Sequence, residues 1–152
     1  MVRLKWTRPL WRMSANRDGA MLEEALTRSV IGSFFDVHRG LGFGFREHIY
    51  ALALERDLAS KGHRVAREVA VMVYYRGAPL TWQTLDMIVD ERLIIENKST
   101  EILHPSATLQ LFSYLSATKL EVGLLLHFGR EPKSYRVICE NRLKRHQRDE
   151  RR

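Results

Sequence analysis

The chain is poor in the features that narrow a function fastest. Its 152 residues hold one cysteine, Cys139, so neither an intramolecular disulfide nor a cysteine-built zinc cage can form. No apolar run approaches the roughly 20 residues that a membrane-spanning helix needs. The N-terminal stretch "MVRLKWTRPLWRM" also lacks the continuous apolar segment of a signal peptide. These absences lead us to expect a cytoplasmic protein with no membrane partner. Internal repeats and low-complexity linkers are missing, and the six histidines fall at no ligand-like spacing. The glycine run "GLGFGF" at residues 40–45 is not a dinucleotide fingerprint, because no strand precedes it and the G-x-G-x-x-G spacing is absent. It reads as a turn, and no organic cofactor is expected.

What the chain does have is an ordinary globular composition, 45% hydrophobic and 28% charged, and length for one core. The net charge of +7 is unevenly spread: residues 1–17 carry five Arg/Lys and no acid, residues 142–152 carry six against two, and residues 18–141 are left at −2. We therefore read a basic N-terminal extension (1–17), a folded domain (18–141) and a basic C-terminal tail (142–152). The tails are either solvated, partly disordered ends or non-specific attractors of phosphate backbone. Met13 and Met21 leave open a start site later than Met1.

Hydrophobic spacing sets the elements. In residues 21–38, Leu22, Leu26, Val30, Phe34 and Val37 recur at helical intervals, predicting an amphipathic helix. A second helix is expected over 46–60, ending at Gly62. Strand-like runs follow at 65–75, 81–89 and 93–98, with turns at 76–79 and near Asp90–Glu91. Pro105 opens a third helix, "SATLQLFSYLSAT", and "VGLLLHF" and "SYRVICE" read as two more strands. The order ααβββαββ implies an α+β or α/β domain with a mixed sheet flanked by helices.

One short stretch carries chemistry. Leu93, Ile94 and Ile95 form an apolar strand that ends in Glu96, Asn97 and Lys98. If the preceding turn is Asp90, Glu91 and Arg92, then Val89 faces Leu93 and Asp86 faces Glu96. Directly opposed residues have β-carbons about 4.5–5.5 Å apart. Two carboxylates that close repel unless something positive lies between them. Lys98 is two residues beyond Glu96 and so shares its face. Asp86, Glu96 and a strand carbonyl suit Mg²⁺ or Mn²⁺, with positions left for water and a phosphate oxygen; Lys98 can neutralise developing charge. Taken alone, the pattern is weak and reads first as a solvated hairpin end. In the second helix Glu47 lies on the stripe of Ala51, Leu54 and Leu58, either as a third metal ligand or as a favourable first-turn acid. Gln110 and Tyr114, at i and i+4 on the third helix, can meet a water or a phosphate.

Together "GFGFREHIYALALERDLASKG", "VYYRG", "LDMIVDERLIIENKS" and "QLFSYLSATKLEVGLLLHFG" resemble the GxxExxY proteins, a branch of the PD-(D/E)XK nuclease superfamily. The naming motif is Gly44, Glu47 and Tyr50, and the likeness runs from about Ile31 to Phe128. It implies a restriction-endonuclease-like core. It also implies catalytic roles for Glu47, Asp86, Glu96 and Lys98, metal ligation by Asp86, Glu96 and Glu47, and a RecB-like Q-x-x-x-Y pair in Gln110 and Tyr114. Asn97 departs from the pattern, standing where relatives have an apolar residue, and "TWQTLD" lacks a basic residue before the Asp. Two functions follow: a metal-dependent nuclease acting on DNA or RNA, or a non-catalytic module that keeps the fold to bind nucleic acid, a protein partner or a second copy of itself.

Overall fold

In the computed structural model, residues 2–3 and 23–139 are described. Along the chain they form β1 (Val2–Arg3), α1 (Glu24–Leu41), α2 (Glu47–Ser60), β2 (Val65–Tyr75), β3 (Ala78–Val89), β4 (Leu93–Lys98), α3 (Ser106–Ala117), β5 (Val122–Phe128) and β6 (Pro132–Ile138). The strands lie side by side in sequence order. Pairing is parallel at β1–β2 and at β4–β5 and antiparallel elsewhere. The expected mixed α+β sheet is therefore present. Its β4 and β5 need a crossover to run parallel, and α3 supplies it. The two-residue β1 is an element that the sequence reading does not foresee. Met13, Met21, Leu22, Glu140, the domain limits at 17–18 and 141–142 and the remainder of both basic tails lie outside the described residues.

Two apolar layers fix which side chains face which helix. Leu26, Val30, Phe34 and Val37 of α1 and Tyr50, Leu54 and Leu58 of α2 are buried against Met87, Val89, Leu93, Ile95 and alternate residues of β5. On the other face, Ala107, Leu111, Tyr114 and Leu115 of α3 cover Ile94, Leu125, Ile88, Leu85, Val69 and Val71. At Gly123 the approach is close, since an added β-carbon would lie 2.7 Å from Leu111 Cδ1.

Both hairpin turns are tight. Arg76 and Gly77 have φ of 48° and 77°, the left-handed pair that a two-residue hairpin loop uses. Because that loop is so short, β3 begins at Ala78 rather than at Thr81, and Ala78 and Pro79 pair with Tyr75 and Tyr74. A register slip between Val73 and Tyr74 accommodates the proline. The β3–β4 loop is the expected Asp90, Glu91 and Arg92, with Val89 paired to Leu93. Asp90 and Glu91 have φ of 50° and 57°, an uncommon conformation for side chains of this kind. Contacts hold it: the Asp90 amide donates to the Arg64 carbonyl at 2.8 Å, and its carboxylate accepts from the Arg64 amide at 2.8 Å. His63 Nδ1 meets the same carboxylate at 2.7 Å, and Ser29 Oγ lies 2.7 Å from His63 Nε2, tying the turn back to α1. Burial pushes the Asp90 carboxyl up, but these hydrogen bonds and the charges of His63 and Arg92 outweigh it and hold it below the usual range.

Candidate active site

The site lies where β3 and β4 part. Their pairing ends at Met87 and Ile95, so Asp86 and Glu96 stand at the mouth of a fork rather than inside a closed ladder. Asp86 Oδ2 fills the gap by accepting from the Asn97 amide at 3.0 Å. The two carboxyls are close enough for each to act on the other's ionisation. Lys98 Nζ donates to Glu96 Oε1 at 2.8 Å, so Lys98 and Glu96 share a side as a period of two requires. Glu96 is only 2% exposed, and its Oε2 has no partner among the described residues.

Each helix adds to this cluster. The turn before α2 uses glycine where the backbone needs it, with φ of 114° at Gly44. Tyr50 locks that turn: its hydroxyl donates to the Gly42 carbonyl at 2.5 Å and accepts from the Phe45 amide at 3.3 Å, while its ring stacks on Phe128 with centroids 4.4 Å apart. Three residues earlier, Glu47 is the first residue of α2. Its carboxyl lies near the Ser99 amide and feels the charges of Lys98 and Asp86. From the opposite face, Tyr114 feels Glu96, Asp86 and Lys98, and Gln110 Nε2 donates to the Tyr114 hydroxyl at 2.6 Å. The fork thus brings together Asp86, Glu96, Lys98, Glu47 and Tyr114, with Gln110 attached through Tyr114.

The electrostatics follow from burial and crowding of like charge. Burial raises the Glu96 carboxyl to about 7, with Asp86 and Glu47 adding to the rise and Lys98 opposing it. Burial likewise raises Asp86, against the Asn97 amide, Lys98 and the nearby Glu96 carboxyl, with Glu68 pushing the same way as burial. Glu47 is raised by burial first, offset by Lys98 and the Ser99 amide. Burial acts to lower Lys98, but the hydrogen bond and charge of Glu96, with Glu47 and Asp86, prevail and hold it above the usual lysine range. Lys98 is therefore a cation at neutral pH. Two crowded, partly buried carboxyls beside one ammonium make a pocket short of positive charge.

Three contributors were invisible in the sequence. The Asn97 and Ser99 amides matter through the backbone, which no side-chain pattern reveals. Glu68 falls opposite Asp86, since Arg67 pairs with Met87 and Val69 with Leu85, and has φ of 51°. Asn97 points to the α1–α2 face; it is wholly buried, and neither Nδ2 nor Oδ1 has a partner among the described residues. Concavity alone does not locate the site, because the groove lined by Gly32, Phe35, Asp36, His38, Arg39 and Pro132 contains none of these residues.

Hard oxygen donors suit a divalent cation of the Mg²⁺ type, and the unpartnered Glu96 Oε2 beside Asp86 fits one. Among the described residues, no three His, Cys, Asp or Glu are grouped closely enough to hold an ion by side chains alone. Asp86 and Glu96 would therefore be joined by backbone carbonyl or water, with Glu47 at the rim.

A family model described as the PD-(D/E)XK nuclease superfamily matches residues 24–138. Among solved structures, the one titled "Crystal structure of SSO0001" superposes with a TM-score of 0.50 at 20% identity, covering 84% of this chain and 66% of that one. At that identity the likeness speaks for the fold alone, and the chain spans slightly under two thirds of that structure. No curated protein matches. None of the helices in the described residues is long and apolar enough to cross a membrane.

Proposed function

Because the chain belongs to the PD-(D/E)XK nuclease superfamily and has its restriction-endonuclease-like fold, we propose that it is a Mg²⁺- or Mn²⁺-dependent nuclease that hydrolyses DNA or RNA phosphodiesters at the β3–β4 fork. The observation that carries this reading is the buried Glu96 carboxyl, crowded by the charge of Asp86 and with one oxygen that has no partner among the described residues. Asp86 and Glu96 would hold the ion, and Glu47 a water at its edge. A bound cation would polarise the phosphate and acidify a water. Lys98, held protonated, is no base; it lies against the carboxylates and would neutralise charge that builds on the phosphate. Tyr114, with its hydroxyl oriented by Gln110, would donate to a phosphate oxygen. The motif Gly44, Glu47 and Tyr50 supports assignment to the GxxExxY branch, since Tyr50 fixes the turn from which Glu47 projects.

The second reading is a binding module without catalysis. It is favoured by the Lys98–Glu96 pair, which already supplies one positive charge to the fork. An assay on single- and double-stranded DNA and RNA with Mn²⁺ separates the two. Cleavage of at least one substrate, lost in Asp86→Ala, is expected; a wild-type protein inert on all four leaves the module as the account.

A further inference from the structure

The β2–β3 hairpin runs well past the site. β4 pairs only with Met87, Ile88 and Val89 of β3, so Ala78–Asp86 extends beyond it as an arm paired with β2, flanked by β1 at Val69 and Ala70 and two-stranded towards its tip. Residues 69–85 contain no acid and one cation, Arg76, on a domain whose residues 18–141 total −2. At the tip Tyr74 is 56% and Tyr75 54% exposed. Arg76 lies over the Tyr75 ring, 5.2 Å from its centroid. A short hairpin needs no large aromatic rings in water at its end, and burying them nowhere forgoes their apolar stabilisation.

We infer that this tip, Tyr74, Tyr75 and Arg76, is a stacking platform for unpaired bases of the strand whose phosphate enters the fork. This deepens the proposed function and rests on it. The argument joins three features. Base stacking on aromatic rings tolerates any sequence but requires an unpaired base. The arm's charge is of the sign that a phosphate backbone attracts, unlike the acidic balance of the rest of the domain. The arm is also continuous with the site, because Asp86 is on the same strand as the tip. Pro79, paired with Tyr74, is seven residues from Asp86, which is about 23 Å at roughly 3.3 Å per residue. At about 3.4 Å per stacked nucleotide, a strand would need about seven nucleotides to reach from the fork to the tip. The platform therefore selects single strands or frayed ends above a minimum length.

The test is fluorescence anisotropy on a cleavage-silenced Lys98→Ala background. It uses labelled oligothymidylates of about twelve and about four nucleotides and a labelled blunt duplex of about twelve base pairs, lengths chosen around the seven-nucleotide reach. Adding Tyr74→Ala and Tyr75→Ala is expected to weaken binding of the longer single strand at least tenfold, while the four-nucleotide and duplex probes are unaffected. Tyr75→Trp should keep the affinity, which a merely structural role would not require. Equal binding of the longer strand by both proteins, in a wild type that cleaves nucleic acid, overturns the platform and leaves the nuclease standing. So does a uniform loss on all three probes, or a dimer in solution that the Tyr substitutions dissociate. A wild type that neither binds nor cleaves any probe overturns both.

Discussion

Single residues at the fork were legible to different degrees. Asp86 opposite Glu96, with Lys98 on the same side, follows from counting three loop residues between Val89 and Leu93, and the chain folds that way. Glu68 was not legible. Counting back from the Arg76–Gly77 turn sets Arg67 against Asp86; only the slip between Val73 and Tyr74 brings Glu68 there. Asn97 stands out in the sequence only as a departure from the family pattern, and its buried side-chain amide, with no partner among the described residues, bears on stability directly. A buried polar group left unsatisfied costs about 1–3 kcal/mol, so Asn97→Val should raise the unfolding free energy by an amount of that order in urea titration. A loss of stability would mean that the amide has found a buried water. Glu96 titrates near 7 in the fold against an ordinary 4.5. Its folded value is raised, so the associated stability is complete below about pH 4.5 and is lost as pH rises towards 7. Without divalent ions, the melting temperature of wild type should therefore fall relative to Glu96→Gln between these limits. Parallel curves for the two proteins would refute the raised carboxyl.

At the scale of elements, apolar periodicity placed all three helices and five of the strands, because each buries one face against the sheet and the spacing records which. Boundaries were less accurate where local geometry overrides pattern: β3 starts three residues early because a two-residue turn closes the hairpin sooner than four turn-forming residues suggest. The pair Val2–Arg3 gave no periodic signal at all, since two residues cannot show one. Contact between α3 and β5 makes a sharper demand than any pattern. Gly123 sits under Leu111 with room for no β-carbon, and overpacking of that sort costs about 1–3 kcal/mol. Gly123→Ala should destabilise by this order in denaturant melts. It should also perturb α3, and with it the Gln110–Tyr114 pair, so any residual cleavage should weaken with stability. An unchanged midpoint would show that Leu111 has another rotamer available.

For the whole molecule, the fold draws one polar cluster from four places: the mouth of the β3–β4 fork, the end of β4, the start of α2 and one face of α3. Sequence order alone could propose that convergence, but not the electrostatic state it produces. The Asp86 and Glu96 carboxyls are raised because they are taken partly out of water, and the lysine stays charged because the carboxyls around it outweigh its own burial. The central claim is that the Asp86–Glu96 pair is a cation site and that Lys98 serves a later purpose. Calorimetric titration of Mn²⁺ into wild type, Glu96→Ala and Lys98→Ala tests it most directly. Saturable binding by wild type, retained in Lys98→Ala and abolished in Glu96→Ala, is the predicted result; binding that survives Glu96→Ala, or none in the wild type, would contradict it.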